Sequence, residues 1–494
     1  MLKKYRVFRF VIFCLNLCWC HCQSAQPNIL FIIADDLAYT DISAFGGEIS
    51  TPNLDTLAKN GVRFSQFHTA PYCAVTRAMV LTGNNNHIAG MGSQDLKTSI
   101  PGYEGQLSNR VVTIPELLQK QGYFTFMAGK WHLGTSKDAN PHYKGFKHSF
   151  VMLEGAANHY NSVGVLREPK VSPYTEDGKA SEWPDGAYST DYYTDRLLGY
   201  INEAYEKNQA FFGYAAYTSP HWPLQVDEKY WKKFQGHYDG GYDSLRVERH
   251  KGLKAAHLIP EDWDLPDRHP EVIPWDQLNK NDQKIESRKM ELYAGMVDNL
   301  DYNVGRLISK LKDLNIYDNT LIIFMSDNGA AAEDFVNHDY FGPYIKKYFS
   351  NAYDNMGKPN SYVSYGKPWA EAGSAPFKYF KGYTTEGGLT APLIISGPMV
   401  SAKNQLNHNF ITLMDLAPTL YELIDVEYPT EISNSQISPL MGESLIPAFI
   451  ESQSKIHDNN YIFALEHRGH AMLRKGKWKL LNSIQPLDLS LIHI

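Results

Sequence analysis

Beyond its N-terminal segment the chain has a single cysteine. Its 494 residues contain five. Cys14, Cys18, Cys20 and Cys22 lie in or beside that segment, and only Cys73 follows it. Once the segment is removed, an internal disulfide is excluded. An exported lone thiol is then either a small buried apolar residue or one that is used. Asn-x-Ser/Thr acceptor sites are missing from the rest of the chain, so glycosylation says nothing about compartment. No internal repeat and no low-complexity tract is present. Excess positive charge is missing as well. A formal net charge of −7 argues against a general binder of nucleic acid or anionic membranes. It leaves room for an anionic substrate held by a local cluster of Arg, Lys and metal.

The N-terminal segment reads as a secretory signal. Lys3, Lys4, Arg6 and Arg9 form a basic start, Phe10 to Cys20 an apolar run, and Ser24 and Ala25 a small-residue end. The apolar run is too short for a membrane span. A signal peptide over residues 1–25 and an exported protein (secreted, periplasmic or lysosomal) are expected, with no stable membrane insertion.

The remaining chain is long enough for one large domain and a smaller one. Asn28 to Ala34 (NILFIIA) is a continuous apolar run of the kind buried on both faces of a parallel sheet. Thr51-Pro52 offers an N-cap and an N1 proline for a helix over Asn53 to Asn60, with Gly61 at its C′ position. A strand-like stretch, Val62 to Phe67, follows. Helical patterns recur at Ile114 to Gln121, at Asp191 to Tyr205 behind a Thr190 cap, at Met290 to Leu311, and at Phe410 to Ile424. Strand patterns recur at Phe124 to Ala128, Phe211 to Tyr217, Leu321 to Met325 and Pro392 to Ser396. This alternation predicts an α/β sheet with helices on both faces. Residues 225 to 285 and Gly357 to Ala375 have weak periodicity and read as surface excursions. Tyr461 to Glu466 and His470 to Leu481 predict a β-hairpin that closes the chain. The expected division is a domain over residues 26–425 and a C-terminal α+β subdomain over 426–494.

Two of the buried strands end in acids, at Asp35-Asp36 and at Asp327-Asn328. Ligands of open α/β sheets sit beyond the carboxyl ends of the strands. Two such ends together would gather three carboxylates and an amide, which a hard cation, Ca²⁺ or Mg²⁺ rather than Zn²⁺, would stabilise. The alternative, that each pair only caps a turn or helix, stays open on this pattern alone. Cys73 opens a helix-like stretch behind Pro71, where the positive end of the helix dipole suits anion chemistry. Arg77 lies one turn later.

These residues resemble a family. Cys73-Ala74-Val75-Thr76-Arg77-Ala78-Met79-Val80-Leu81-Thr82-Gly83 is similar to the sulfatase signature. Gly122-Tyr123-Phe124-Thr125-Phe126-Met127-Ala128-Gly129-Lys130-Trp131-His132 is similar to the second sulfatase signature. Asp35-Asp36, Ser219-Pro220-His221, Ser326-Asp327-Asn328-Gly329 and Lys381 to Gly388 complete the landmarks in the family's order. The resemblance runs from about residue 27 to about residue 480. It implies an alkaline phosphatase-like fold: a large mixed, mostly parallel sheet sandwiched by helices, with a small C-terminal subdomain. It implies a calcium-dependent sulfatase, more like the arylsulfatase branch than the glycosaminoglycan branch, in which Cys73 is oxidised to formylglycine by a formylglycine-generating enzyme. It further implies that Asp35, Asp36, Asp327, Asn328 and residue 73 bind one Ca²⁺. Arg77, Lys130 and His132 would hold the hydrated aldehyde, and His221 and Lys381 would bind sulfate and assist the leaving oxygen. The substrate would be an aryl or carbohydrate sulfate ester. His68, His87, His159 and Glu386 are weaker candidates, read here as structural.

The sequence departs from the family at two places. Val75 stands where the family usually has Pro or Ala. Leu487 to Ile494 has no match to the family pattern, which predicts a truncated closing subdomain. Two other readings stay open: a phosphodiester or phosphonate ester hydrolase of the same superfamily, and a sulfate-ester binding protein in which Cys73 is unmodified.

Overall fold

The run Asn28–Ala34 forms β1 in the middle of the main sheet, with every residue buried. A strand covered on both faces needs apolar side chains at every position, which is why NILFIIA is unbroken. The structure is a computed structural model that describes residues 26–166, 171–482 and 489–493. The expected signal peptide lies outside the described residues.

After β1 come α1 (Pro52–Lys59), β2 (Gly61–Phe64), β3 (Phe67–His68), α2 (Cys73–Thr82), α3 (Ile114–Lys120), β4 (Phe124–Lys130) and β5 (His148–Met152). The hairpin β6 (Tyr174–Glu176) and β7 (Lys179–Ser181) leads to α4 (Ser189–Glu206) and β8 (Phe211–Ala216). Next are α5 (Glu228–Trp231), α6 (Gly241–Ala255), the long α7 (Lys280–Asp313) and β9 (Thr320–Ser326). Then follow α8 (Gly342–Tyr348), α9 (Gly366–Ser374), α10 (Glu386–Leu389), β10 (Leu393–Ser396), β11 (Gln405–Asn407), β12 (Ile411–Thr412) and α11 (Leu416–Leu423). The chain closes with a short pair, β13 (Glu431–Ile432) and β14 (Ser435–Gln436), and with β15 (Ile462–His467), β16 (His470–Lys475), β17 (Trp478–Asn482) and β18 (Leu489–His493).

The main sheet has ten strands in the order β11-β2-β10-β9-β1-β8-β4-β5-β6-β7. Its centre, β9-β1-β8-β4-β5, is parallel, and antiparallel partners flank it. This is the large mixed, mostly parallel sheet that the resemblance implies. Along β1 the side chains alternate between two cores. Leu30, Ile32 and Ala34 pack with Leu197 of α4, Tyr242 of α6 and Leu300 of α7. Ile29, Phe31 and Ile33 pack with α2, α3, α11 and the inner face of the C-terminal sheet. Helix α2 is buried along its whole length.

Several local expectations are corrected. Thr51 is at the N-cap of α1, but its hydroxyl bonds Ser43 rather than the helix. Gly61 does not take the left-handed C′ conformation; it starts β2, where a Cβ would sit 2.1 Å from Ile395 O. Helix α4 starts at Ser189, before Thr190, because the Ser189 amide is bonded to His159 O. The expected helix from Phe410 begins only at Leu416, because Ile411 and Thr412 pair with β3. Residues 225–285, read as a surface excursion, carry helices packed into the fold. They include α5 and α6, and Arg249 of α6 is buried against Asp41 at 2.5 Å and Glu48 at 2.8 Å. Buried Arg249 interrupts the apolar face that Tyr242, Leu245 and Leu253 form, which weakens the hydrophobic period. The closing hairpin is a four-stranded antiparallel sheet. The stretch His470 to Leu481 is broken by Gly476, whose φ of +56° makes a turn between β16 and β17. Residues Leu489–His493, inside the tail without a family match, form its fourth strand.

The C-terminal sheet docks through charge as well as apolar contact. Lys479 of β17 is buried and lies 2.6 Å from Glu386 of α10, which is 2.5 Å from His68. Arg474 stacks on Phe410 with its guanidinium 3.9 Å from the ring centre. Burial works to raise the Glu386 pKa, but Lys479 and His68 hold it well below the usual carboxylate range. Its contribution to stability is therefore complete above about pH 4.5 and is lost as pH falls toward its folded value. His68 is also lowered, by burial, so charging it opposes folding as pH falls below about 6.5. Both act in one direction. Lys479→Ala, which strands Glu386, is expected to cost about 3 kcal/mol. Urea unfolding at pH 8 should show this, and in unfolding followed down to about pH 3 Glu386→Gln should flatten the part of the pH dependence below about pH 4.5. No helix among the described residues is long and apolar enough to cross a membrane.

Candidate active site

Strand register builds the site. Ala34 pairs with Ser326 in the parallel β1–β9 ladder, so Asp35-Asp36 and Asp327-Asn328 leave the sheet side by side. The exits are locked to one another. Asp327 N donates to Ala34 O at 3.1 Å, Asp36 N to Asp327 Oδ1 at 3.2 Å, and Asn328 Nδ2 to Asp36 Oδ1 at 2.6 Å. Asp36 turns out of β1 with φ +65°, a conformation that Asp tolerates better than most residues. On the other side, β8 delivers His221 and β4 delivers Lys130, since Gly129 pairs with Ala216. Gly129 has φ +119°, and a Cβ there would lie 1.8 Å from Ala216 O, so only glycine fits just before Lys130.

Cys73 is the first residue of α2 and is buried. Single ligand atoms of Asp35, Asp36, Cys73 and His221 lie within 4.8 Å of one another. Each carboxylate has its own cation. Lys130 Nζ is 2.7 Å from Asp35, Arg77 donates from Nε and Nη2 to Asp327 at 3.1 and 2.9 Å, and Lys381 Nζ is 2.8 Å from Asp36. His221 Nε2 lies 3.2 Å from Asp36. Its Nδ1–H donates to Trp222 O at 2.6 Å, which leaves Nε2 as the nitrogen facing the site. The Ser219–Pro220 and Trp222–Pro223 bonds on either side of it are cis. His132, with φ +60°, packs its ring against Gly155, and its Nδ1 is buried without a hydrogen bond. Burial, then Lys130 and Arg77, push its pKa well down. The structure thus gathers every residue named from the sequence as catalytic or metal-binding.

The electrostatics define what this arrangement can do. Burial works to raise the Asp36 pKa, but Lys381, His221 and Lys130 outweigh it and keep Asp36 ionised. Asp327 moves the other way, up to about 6, through burial and its neighbour Asp35. Burial pushes the Cys73 thiol up to about 12, against the pull of Lys130 and Lys381. An unmodified Cys73 is therefore a poor nucleophile at neutral pH. Asp35 Oδ1 and Asn328 Oδ1 are buried and accept no hydrogen bond. Unpaired oxygens beside ionised carboxylates fit a hard, oxygen-seeking cation. The carboxylates are already balanced by Arg77, Lys130 and Lys381, so a divalent cation would leave the site with net positive charge, suited to an anionic ester.

Two residues support the site in ways the sequence reading did not assign. His159, read above as structural, donates from Nε2 to His221 O at 3.0 Å, and its Nδ1 meets Ser189 Oγ at 2.6 Å. Tyr293 of α7 donates to Asp36 O at 3.2 Å. Neither has a local motif; only long-range packing brings them in. His68 and Glu386 serve the subdomain junction instead, and His87 pairs with Glu466 at 2.9 Å.

A mostly parallel sheet whose carboxyl-end acids face a residue at a helix N-terminus defines an alkaline phosphatase-like hydrolase. The family pattern described as Sulfatase matches residues 27–426, and the chain belongs to that family. It is a sulfuric ester hydrolase of the arylsulfatase-like type. An arylsulfatase of Klebsiella aerogenes is 39% identical over 86% of this chain and 92% of its own length. An uncharacterized sulfatase of Schizosaccharomyces pombe is 38% identical over 93% of this chain and 86% of its own. The solved structure of Ps i-CgsB in complex with k-i-k-neocarrahexaose superposes with a TM-score of 0.66 at 26% identity, covering 94% of this chain and 86% of that one.

Proposed function

We propose that the protein hydrolyses sulfate monoesters of aryl alcohols or carbohydrates, using formylglycine formed from Cys73 and one bound Ca²⁺. The observation that carries this reading is the placement of Cys73 at the start of α2, against Asp35, Asp36 and His221, with a thiol too weakly acidic to act unmodified. Asp35, Asp36, Asp327, Asn328 and residue 73 would hold the cation, with the unpaired Oδ1 atoms of Asp35 and Asn328 directed to it. When present, the cation supplies Lewis acidity and the aldehyde hydrate a strong oxygen nucleophile.

The chain's own side chains supply the rest. Arg77, Lys130 and His132 would hold the hydrated aldehyde of residue 73. Lys381 and His221 share Asp36 and would bind sulfate and assist the leaving oxygen. Either can donate a proton to that oxygen, Lys381 from Nζ and His221 from Nε2 when protonated. Together the cations compensate the charge spread over the sulfate oxygens in the transition state.

Because α2 is buried along its length, the formylglycine-generating enzyme must meet Cys73 before the domain folds, and Val75 lies in the segment it reads. Export through residues 1–25 fits such a route, toward a secreted, periplasmic or lysosomal location. The catalytic unit would span residues 26–425, and residues 426–494 would form the closing subdomain. Peptide mass spectrometry of the protein from its native host is expected to find the Cys73 peptide about 18 Da lighter than its thiol form, the change from thiol to aldehyde. An unmodified thiol with intact calcium binding would support the binding-protein reading. Faster turnover of an aryl phosphodiester than of the matched aryl sulfate would support the phosphodiesterase reading.

A further inference from the structure

A cleft of about 270 Å³ lies where the C-terminal sheet meets the β3–β12 pair. Gln66 and Phe410, just before β3 and β12, line one side, and Lys455, Arg474 and Lys477 line the other. No residue assigned above to catalysis or metal binding takes part in it. Its one carboxylate is that of Asp458, whose Oδ1 accepts from the Asn460 and Tyr461 amides at 2.7 and 3.0 Å. Among the described residues no carboxylate lies within ion-pair distance of Lys455, Arg474 or Lys477. Lys455 Nζ is 2.8 Å from the neutral Asn459 Oδ1.

Arg474 is the buried member, only 8% exposed. Its Nε donates to Gly476 O at 3.1 Å and its Nη2 to Gln66 Oε1 at 3.3 Å. Its Nη1 lies 3.4 Å from His68 Nε2, which is itself 2.5 Å from Glu386. A guanidinium carries five N–H groups, so one on each terminal nitrogen is left over. Glu386, the carboxylate that acts on Arg474, is already held by Lys479 at 2.6 Å. Burial lowers the pKa of both Arg474 and Lys479, and the shared Glu386 does not make this up. A buried cation without its own counter-ion is costly. One at the wall of a cleft can be met by an anion from solution. The planar fork with two spare N–H groups suits an oxyanion. Three cations beside one carboxylate leave a formal surplus of two, which favours a dianion over a monovalent ester. We propose that this cleft is a second anion site, separate from the catalytic centre, that binds inorganic sulfate or phosphate as a dianion and ties the C-terminal sheet to β3 and β12.

The test follows the thermal unfolding midpoint at pH 8 as sulfate replaces chloride at constant ionic strength. At about 50 mM sulfate the wild type is expected to gain about 2 °C or more, given a Kd on the order of 1 mM. Lys455→Ala/Lys477→Ala, which changes two exposed side chains, is expected to keep less than half of that gain. Arg474→Met should behave likewise, and the lysine variant stands if Arg474→Met does not fold. Sulfate bound at the catalytic centre and the general effect of the salt are common to wild type and variants, so the difference in gain reads the cleft. Phosphate should give a gain similar to that of sulfate, and methyl sulfate, a monoanion, a smaller one. An equal gain in the wild type and the lysine variant would overturn the site. A gain with methyl sulfate as large as with sulfate would overturn the assignment to a dianion.

Discussion

Replacing Cys73 with alanine is expected to lower kcat for an aryl sulfate by roughly 10⁴-fold, the scale on which loss of a covalent nucleophile is felt. The fold should survive. Cys73 sits at the first position of α2, where its amide has no partner within the helix to lose, and alanine is a good helix former. Its methyl fills most of the buried volume of the side chain. The carboxylates keep their own cations, with Lys130 on Asp35, Arg77 on Asp327 and Lys381 on Asp36. Loss of activity with an unchanged circular dichroism spectrum and unfolding midpoint is therefore the expected pair of results. Residual turnover within about tenfold of the wild type would mean that residue 73 is not the nucleophile.

Removing the divalent cation with EGTA is expected to cost at least ~10³-fold in kcat/KM, because the Lewis acid and the alignment of residue 73 are lost together. Added Ca²⁺ should restore activity, and Zn²⁺ should not, since the ligand set is oxygen-rich. The effect on stability should be smaller. A cation present at a hundred times its Kd contributes about 2.7 kcal/mol to folding, and the ion pairs of the site remain when it leaves. Thermal unfolding with and without EGTA, beside the rate assay, separates the two effects. Collapse of the fold on chelation would show that the pairing of Asp35, Asp36 and Asp327 with Lys130, Lys381 and Arg77 does not hold the site by itself.

The predicted elements fared unequally for physical reasons. The buried strands Asn28–Ala34, Phe211–Ala216 and Thr320–Ser326 were plain in the sequence, because burial on both faces demands unbroken apolar runs. Helix α6 was missed because buried Arg249 interrupts the apolar face formed by Tyr242, Leu245 and Leu253. The start of α11 was misplaced because Ile411 and Thr412 are claimed by a strand distant in sequence. Long-range pairing of that sort overrides local periodicity, and it is also what turned one expected hairpin into a four-stranded sheet.

The sequence by itself determined the chemistry-bearing groups: the acids closing two buried strands, the lone cysteine with Arg77 one turn on, and the lysines and histidines of the ordered motifs. Each is written into a local pattern of a few residues. Only the tertiary structure decided how those groups pair. It assigned a cation to each carboxylate, placed His221 beside Asp36, Asp35 and Cys73, and set Asp327 against Arg77. It also tied His159 to His221 and Tyr293 to Asp36, and it gave Glu386 and Lys479 to the subdomain junction. Those assignments depend on the register of parallel strands and on contacts between residues hundreds of positions apart. A short stretch of sequence carries neither.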